Sequence, residues 1–400
     1  MAAPARVYIE EEDGDGRGVS VGESTRNKNA PAKEALFNAK IKVVGIGGGG
    51  NNALDHIIRS GAGGVEFLAV NTDVHCLEKC LSVEKLVIGE KLTRGRGAGA
   101  RPEVGEQSAI ESREQIRSCL KGCDMVYLAA GMGGGTGTGA LPVVAEIAKE
   151  LGILTVAVVT RPFSFEGKMR TAYSDGGIEK TKKIVDALIV VPNDRLLSPD
   201  RSTTVQEAFA MADDVLCQAV QGVTDLVTKP GLLNVDFADL RSIMKHSGGA
   251  VMGVGSSKGD NRAEDALKRA MENPLMEYSI RGAKGVILNI TGGADVGLHE
   301  VEAVVKQLEA QVDQDATLIW GLVNDKMDMD EEIRMVVIAT GYDMGSGTAG
   351  NTSQDDGKSV KKSGVTEPRA NPKKTSDGDS FFAMDSPIDA PSYYRRRKLH

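Results

Sequence analysis

Three stretches of this 400-residue chain carry residues whose types and spacing could do chemistry on a polyphosphate. The first is Gly45-Ile-Gly-Gly-Gly-Gly-Asn-Asn52, which ends one apolar run and leads into a helix candidate at residues 52–59. Glycines at such a junction let backbone N–H groups approach an anion, and the helix N-terminus adds partial positive charge. Alone, this loop also fits a dinucleotide cofactor or a plain tight turn. The second stretch, Gly131-Met-Gly-Gly-Gly-Thr-Gly-Thr-Gly139, again joins a buried strand to a helix. Two such loops at adjacent strand ends converge on one crevice. A dinucleotide needs one of them, whereas a triphosphate gripped along its length uses both. The hydroxyls of Thr136 and Thr138 can donate to phosphate oxygens, or reach Mg²⁺ directly or through water. The third stretch, Asn234-Val-Asp-Phe-Ala-Asp239, sets Asp236 and Asp239 three apart. If a helix starts there, both carboxylates share one side and can polarise an attacking water. No Gly-x4-Gly-Lys-[Ser/Thr] occurs, so no Walker-type lysine serves the phosphates.

The elements that must position these residues are legible as alternating periodicities. Strand-like runs at 40–45, 65–70, 86–88, 125–130, 153–160 and 188–191 alternate with helix candidates at 52–59, 109–120, 142–151 and 178–187. The runs are apolar throughout, which suits strands covered on both faces of a doubly wound parallel sheet. Pro142 is expected in a helix first turn, where proline is tolerated. Residues 205–228 form one long helical pattern, with Val205, Phe209, Ala212, Leu216, Ala219, Val220, Val223 and Val227 stepping mostly by three and four. This reads as a connecting shaft. A smaller α/β region follows, with strands at 250–254, 286–291, 317–323 and 335–340 and helices at 261–271 and 298–312. The expected organisation is a flexible arm (1–37), a nucleotide-binding domain (38–204), the central helix (205–229), a C-terminal α/β domain with the acidic loop (230–342), a disordered linker (343–380) and a terminal peptide (381–400).

Composition narrows the partners. A formal net charge of -8 argues against a sequence-blind nucleic-acid binder, which needs a basic face. No apolar run is long enough to span a bilayer. The first residues soon reach Glu10-Glu-Glu-Asp13, so they read neither as a signal peptide nor as an acid-poor transit peptide. The cysteines, Cys76, Cys80, Cys119, Cys123 and Cys217, are odd in number, which suggests reduced thiols. Two Cys-x3-Cys pairs invite a zinc reading, but a strand opening at Cys123 points it away from a helical Cys119, and ordinary core thiols are expected.

Taken with Asn71-Thr-Asp73, Gly97-Ala-Gly-Ala100, Pro162-Phe-Ser-Phe-Glu-Gly167 and Pro192-Asn-Asp194, the three stretches resemble FtsZ, the bacterial and plastid tubulin homologue, over about residues 40–342. The resemblance implies a tubulin-like GTPase fold, GTP/GDP as nucleotide and Mg²⁺ as cation. It implies that Gly48, Gly49 and Asn52 line the phosphates, that Ala98, Gly99 and Ala100 approach the γ-phosphate, and that Gly133, Gly134, Gly135, Thr136 and Gly137 hold the α- and β-phosphates. Glu166 and Arg170 resemble the family's sugar contacts, Asn193 its nucleotide-binding asparagine, and Phe209 with Asp213 its base-binding pair. Asp213 is a chemically sensible acceptor for guanine N1–H and N2–H₂; the bland reading of Asp213 or Asp214 is a solvated helix face. Met169 departs from the basic residue usual before Arg170.

Asn234, Asp236 and Asp239 follow the far end of the shaft, about 30 Å from the base-binding residues at 1.5 Å per residue, so they cannot serve their own subunit's nucleotide. In the family, they complete the site of the next subunit. The resemblance therefore implies a head-to-tail homopolymer of a division ring, at mid-cell in a bacterial cytoplasm or in the chloroplast stroma. A scaffold with vestigial hydrolysis and a Rossmann dehydrogenase are the alternative readings; intact acids oppose the first, and the second glycine loop the other. Asp389-Ala-Pro-Ser-Tyr-Tyr-Arg-Arg-Arg397 resembles the family's C-terminal docking peptide for membrane-tethering partners, with a lipid-attracted basic tail or an inert terminus as alternatives.

Overall fold

The computed structural model describes residues 39–196, 204–228, 235–245, 247–273, 280, 282–324 and 331–342. The expected arm, linker and terminal peptide lie outside these residues, as does Asn234. Ten strands form in chain order: β1 Ile41–Ile46, β2 Glu66–Asn71, β3 Glu84–Val87, β4 Met125–Gly131, β5 Leu154–Arg161, β6 Ala187–Pro192, β7 Gly248–Lys258, β8 Gly285–Gly292, β9 Thr317–Asn324 and β10 Glu332–Tyr342. They hydrogen-bond into one sheet in the order β3-β2-β1-β4-β5-β6-β7-β10-β8-β9. All pairs are parallel except those β10 makes with β7 and β8. Every residue of β1 is buried, as are all but the last of β4 and of β5. Helices on both faces exclude water from the strands, which is why those runs are apolar throughout and do not alternate.

The helices are α1 Gly47–Arg59, α2 Val74–Lys79, α3 Glu90–Thr93, α4 Pro102–Glu111, α5 Arg113–Leu120, α6 Thr136–Glu150, α7 Lys168–Lys182, α8 Val205–Thr228, α9 Phe237–Met244, α10 Arg262–Met271 and α11 Leu298–Glu309. The shaft is α8. Its 24 residues span about 36 Å. It touches α1, β5 and β6, and also β8, β9 and β10. Its apolar stripe, from Ala208 through Leu216 and Val223 to Leu226, is buried. At Gly222 the helix backbone presses on the sheet: an added Cβ would lie 2.6 Å from Val336 Cγ1, and the Gly222 carbonyl accepts from Asn289 Nδ2 at 2.9 Å.

Several boundaries differ from expectation, each for a physical reason. The helix expected at 142–151 begins at Thr136, inside the second glycine loop, so Pro142 is an interior residue. The missing N–H at Pro142 costs one bond in a helix that packing on both sides holds in place. The single helix expected at 109–120 is two, α4 and α5, broken at Ser112, whose hydroxyl accepts from Gly89 N–H at 3.0 Å. The helix expected at 178–187 runs instead from Lys168 to Lys182, its start hidden by Gly176 and Gly177. Gly177 is there because a Cβ would lie 2.6 Å from Thr138 Cγ2 of α6. Met125, not Cys123, opens β4. The Cys80 thiol donates to Asp55 Oδ1 at 2.9 Å, and burial pushes it up to about 11.

The tightest helix contact joins α4 to α6. A Cβ at Gly139 would fall 1.9 Å from the Pro102 carbonyl oxygen, and one at Gly105 2.3 Å from that of Gly135. Both clashes are with backbone, which cannot rotate aside. Gly139→Ala is therefore expected to destabilise the protein by about 1–3 kcal/mol, as overpacking does. Gly63→Ala, where an added Cβ meets nothing within 4 Å, is expected to stay within about 0.5 kcal/mol of wild type. Chemical denaturation of the two variants measures the difference.

Candidate functional site

A cleft of about 440 Å³ opens at the C-terminal ends of β1, β4, β5 and β6. Its floor is built by two glycine turns in backbone contact. Strand β1 passes straight into α1, so the four glycines 47–50 form the first turn of the helix and do not make a separate loop. The N–H groups of a first helical turn have no partner within the helix, which leaves them for a ligand. This turn lies directly on β4. A Cβ at Gly50 would fall 2.3 Å from the Ala129 carbonyl oxygen, and one at Gly45 2.4 Å from that of Gly50. Gly48 and Gly49 are exposed and line the cleft with Asn52.

The second turn leaves β4 at Gly131 and enters α6 at Thr136. Gly134, Gly135, Thr136 and Gly137 line the cleft. Gly133 takes φ +92, a conformation costly for other residues, and its N–H donates to Thr138 Oγ1 at 2.9 Å. Thr138 is thus turned inward, at 4% exposure, and shapes the loop from behind. The Thr136 and Thr72 hydroxyls are 2.7 Å apart. Ala98, Gly99 and Ala100 do not line the cleft itself; their loop backs the second turn, with Ala98 Cβ 2.8 Å from where Gly135 would carry its own. Gly99 and Ala100 both take left-handed conformations, φ 61 and 57. An alanine there is strained, so the surrounding contacts impose that turn.

At the other end of the cleft stand Glu166, Arg170, Asn193, Phe209 and Asp213. Glu166 accepts from Phe163 N–H at 2.9 Å and pairs with Arg170 at 2.5 Å, one helical turn on. The buried ring of Phe163 stacks on Phe165 at 5.0 Å and meets Phe209 edge-on at 5.3 Å, which fixes the Phe209 ring at the rim. Asn193 is 4% exposed and its Oδ1 has no partner among the described residues. Burial pushes the Asp213 carboxyl up to about 6; His56 pulls it down and Asp214 adds to the rise. The unpartnered Asn193 oxygen and the cleft-facing Asp213 carboxyl beside an aromatic face suit a planar, N–H-rich base.

The acids lie elsewhere. Asp236 caps α9, accepting from Ala238 N–H at 3.2 Å, and Asp239 sits in its first turn; both are exposed. Arg241 of the same helix donates to the carbonyl of Gly152, just before β5. The eight residues of β5 separate that point from the cleft by about 26 Å. The cleft and the acids therefore lie toward opposite ends of the strands.

The sequence reading did not single out Met132, Thr160, Pro162, Ala212 and Leu216 as cleft wall. It also passed over the residues that brace the floor. Asn51, 3% exposed, donates to the Gly45 carbonyl at 2.8 Å and accepts from Asn71 Nδ2 at 2.7 Å. The only local signal is a second asparagine beside Asn52, with an Asn-Thr-Asp run after β2.

The family model described as Tubulin/FtsZ family, GTPase domain, matches residues 40–199, and that described as FtsZ family, C-terminal domain, matches residues 248–343. Among solved structures, an empty FtsZ dimer from M. jannaschii is 42% identical with a TM-score of 0.74, covering 77% of this chain and 90% of that one. A tryptophan-to-tyrosine mutant of the M. jannaschii FtsZ is also 42% identical, with a TM-score of 0.73 over 76% and 91% of the two chains. GDP-bound CetZ1 from Haloferax volcanii shares the fold at 21% identity and a TM-score of 0.67, over 76% of this chain and 95% of that one.

Removing the brace separates support from contact. Asn51→Ala strands the Gly45 carbonyl and the Asn71 amide in the interior, so it is expected to cost about 1–3 kcal/mol of stability and to weaken GTP binding. Asn52→Ala, at an exposed lining position, is expected to weaken binding with stability little changed. Paired denaturation and equilibrium nucleotide titrations check both.

Proposed function

From the premise that this chain belongs to the FtsZ family of tubulin-like GTPases, we propose that its GTPase site is completed only between two copies stacked head to tail, and that the resulting filament forms a division ring. One observation carries this reading: the cleft and the carboxylates of Asp236 and Asp239 lie toward opposite ends of the strands of one sheet. A cleft whose backbone N–H groups can grip phosphates and an acidic helix turn that can orient water are complementary halves. Placing the acidic turn of one copy over the cleft of the next joins unlike surfaces. Repeated without closure, such a contact makes a filament.

Within the cleft, the first-turn N–H groups of α1 and the turn from Gly133 to Gly137 hold the phosphates, with Ala98, Gly99 and Ala100 beside the terminal one. Glu166 and Arg170 bind the sugar, and Asn193, Phe209 and Asp213 read guanine. Asp213 accepts from N1–H and N2–H₂, a pattern adenine does not offer. Mg²⁺ fits as a phosphate-bound ion. Among the described residues no group of three or more His, Cys, Asp or Glu could hold a metal, and Mg²⁺ characteristically takes phosphate and water oxygens. The Thr136 hydroxyl is the side-chain oxygen it would use, and the ion would neutralise phosphate charge. Asp236 and Asp239 of the adjacent copy orient the attacking water, with Asn234 beside them. Phosphoryl transfer asks mainly for such positioning and charge stabilisation.

No described helix is long and apolar enough to cross a membrane. Attachment of the ring would fall to partner proteins that bind the terminal peptide around residues 389–397, at mid-cell or in the chloroplast stroma.

Phosphate release from GTP and from ATP, measured against protein concentration alongside pelleting, tests the shared site. A GTP-specific rate that appears only above a threshold concentration is expected; a rate per molecule independent of concentration would sink it. Asp239→Ala is expected to bind GTP normally and to lose about 100-fold or more of turnover.

A further inference from the structure

Two adjacent aspartates, Asp213 and Asp214, stand on α8 at the base end of the cleft, and one is engaged from outside. The imidazole Nε2 of His56, on α1, is 2.7 Å from Asp214 Oδ1. Asp213 lines the cleft and has no such ion pair among the described residues. The two helices are zipped further along by polar contacts: Ser60 Oγ is 3.6 Å from Cys217 Sγ and accepts from Gln221 Nε2 at 2.5 Å. His56 and Ser60 lie one turn apart on α1, and Asp214, Cys217 and Gln221 follow the same face of α8. The helix whose first turn forms the phosphate floor thus grips the helix that carries the base-reading side chain.

We propose that His56 is a positioning and specificity residue: by pairing with Asp214 it takes that carboxylate out of play and leaves Asp213 as the ionised acceptor for guanine. The proposal rests on the reading of Asp213 as the base contact. Without His56, two like charges would stand side by side on one helix turn, and the half-buried one would take up a proton. A protonated carboxyl cannot accept from both guanine donors.

The surrounding charges leave His56 and Asp214 as the groups that matter. Glu166 pairs with Arg170 across the cleft, and Arg161 at the end of β5 pairs with Asp175. Asp194, on the turn after β6, accepts from Ser164 N–H, and the neighbouring Arg195 is also engaged. Among the described residues, His56 and Asp214 act on the Asp213 charge, with opposite signs, around the value of about 6 that burial imposes. The ionised form binds, so GTP affinity is present above that value and lost as pH falls through it.

Equilibrium binding of GTP, ITP and ATP to the full chain between pH 5 and 8.5 tests this. His56→Ala is expected to move the acid-side loss of GTP affinity upward by about one unit, so that binding weakens roughly fivefold at pH 6 and about twofold at pH 7, and recovers at pH 8.5. Asp214→Asn is expected to move it downward, and the double variant to return it close to wild type. His56→Arg, which places a permanent cation beside Asp214, is expected to bind at least as well as wild type at low pH. If His56→Ala weakens binding equally at all pH values, or leaves the midpoint in place, the pair is mere packing and the proposal fails. Asp213→Asn tests the underlying reading separately. It must reduce the preference for GTP over ITP and ATP; retained preference would remove Asp213 from base recognition whatever His56 does.

Discussion

Everything at the cleft depends on two glycine turns touching through their backbones. The first turn of α1 lies on β4 so closely that a single methyl group at Gly50 would overlap the Ala129 carbonyl, and one at Gly137 would come within 2.6 Å of the Gly131 carbonyl. Such an approach is open only to residues without a Cβ. Its result is two sets of unpaired helix N–H groups facing one volume, a positive surface made without a lysine. This grip has a cost in stability. Glycines in a helix turn are unfavourable, and the turn persists because buried polar groups hold it: Asn51 ties Gly45 to Asn71, and Thr136 meets Thr72.

The long helix α8 carries the second constraint. Its N-terminal turns present Phe209 and Asp213 to the cleft, and its body runs along the sheet toward the strand ends where α9 presents Asp236 and Asp239. A helix is a stiff spacer of fixed rise, so its length sets how far the turn carrying Phe209 and Asp213 can lie from the acids. Its contacts are asymmetric in kind. Toward α1 they are polar, through His56, Ser60 and Gln221; toward β10 they are close-packed, at Gly222 against Val336. Helix α1 is therefore linked to α8 through side-chain pairs, while β10 meets it through packing.

Much of the fold was legible because it follows from local rules. Apolar runs mark strands, and the ten expected became ten strands; those inside the sheet are covered on both faces, whereas β3 at its edge is not. The stepping of apolar residues by three and four over 205–228 corresponds to α8 residue for residue. Helix starts were misread where glycine carries them. Thr136 opens α6 and Lys168 opens α7 through stretches whose composition says loop, because a tertiary contact there demands a residue without a side chain. The bracing residues were illegible for a related reason. Nothing in the run Asn51-Asn52 says which amide turns inward; the position of β2, with Asn71 at its end, makes that choice.

The sequence by itself determined the chemistry: two glycine loops that feed helices can bind phosphates through backbone N–H groups, and two carboxylates at a helix start can orient water, because both properties are local. Tertiary structure alone decided where those pieces stand and which side chains are free to act. It put the cleft and the acids toward opposite ends of the strands of one sheet, and it paired Asp214 with His56 while leaving Asp213 facing the cleft. Adjacent identical residues are chemically indistinguishable until the fold brings a partner to one of them.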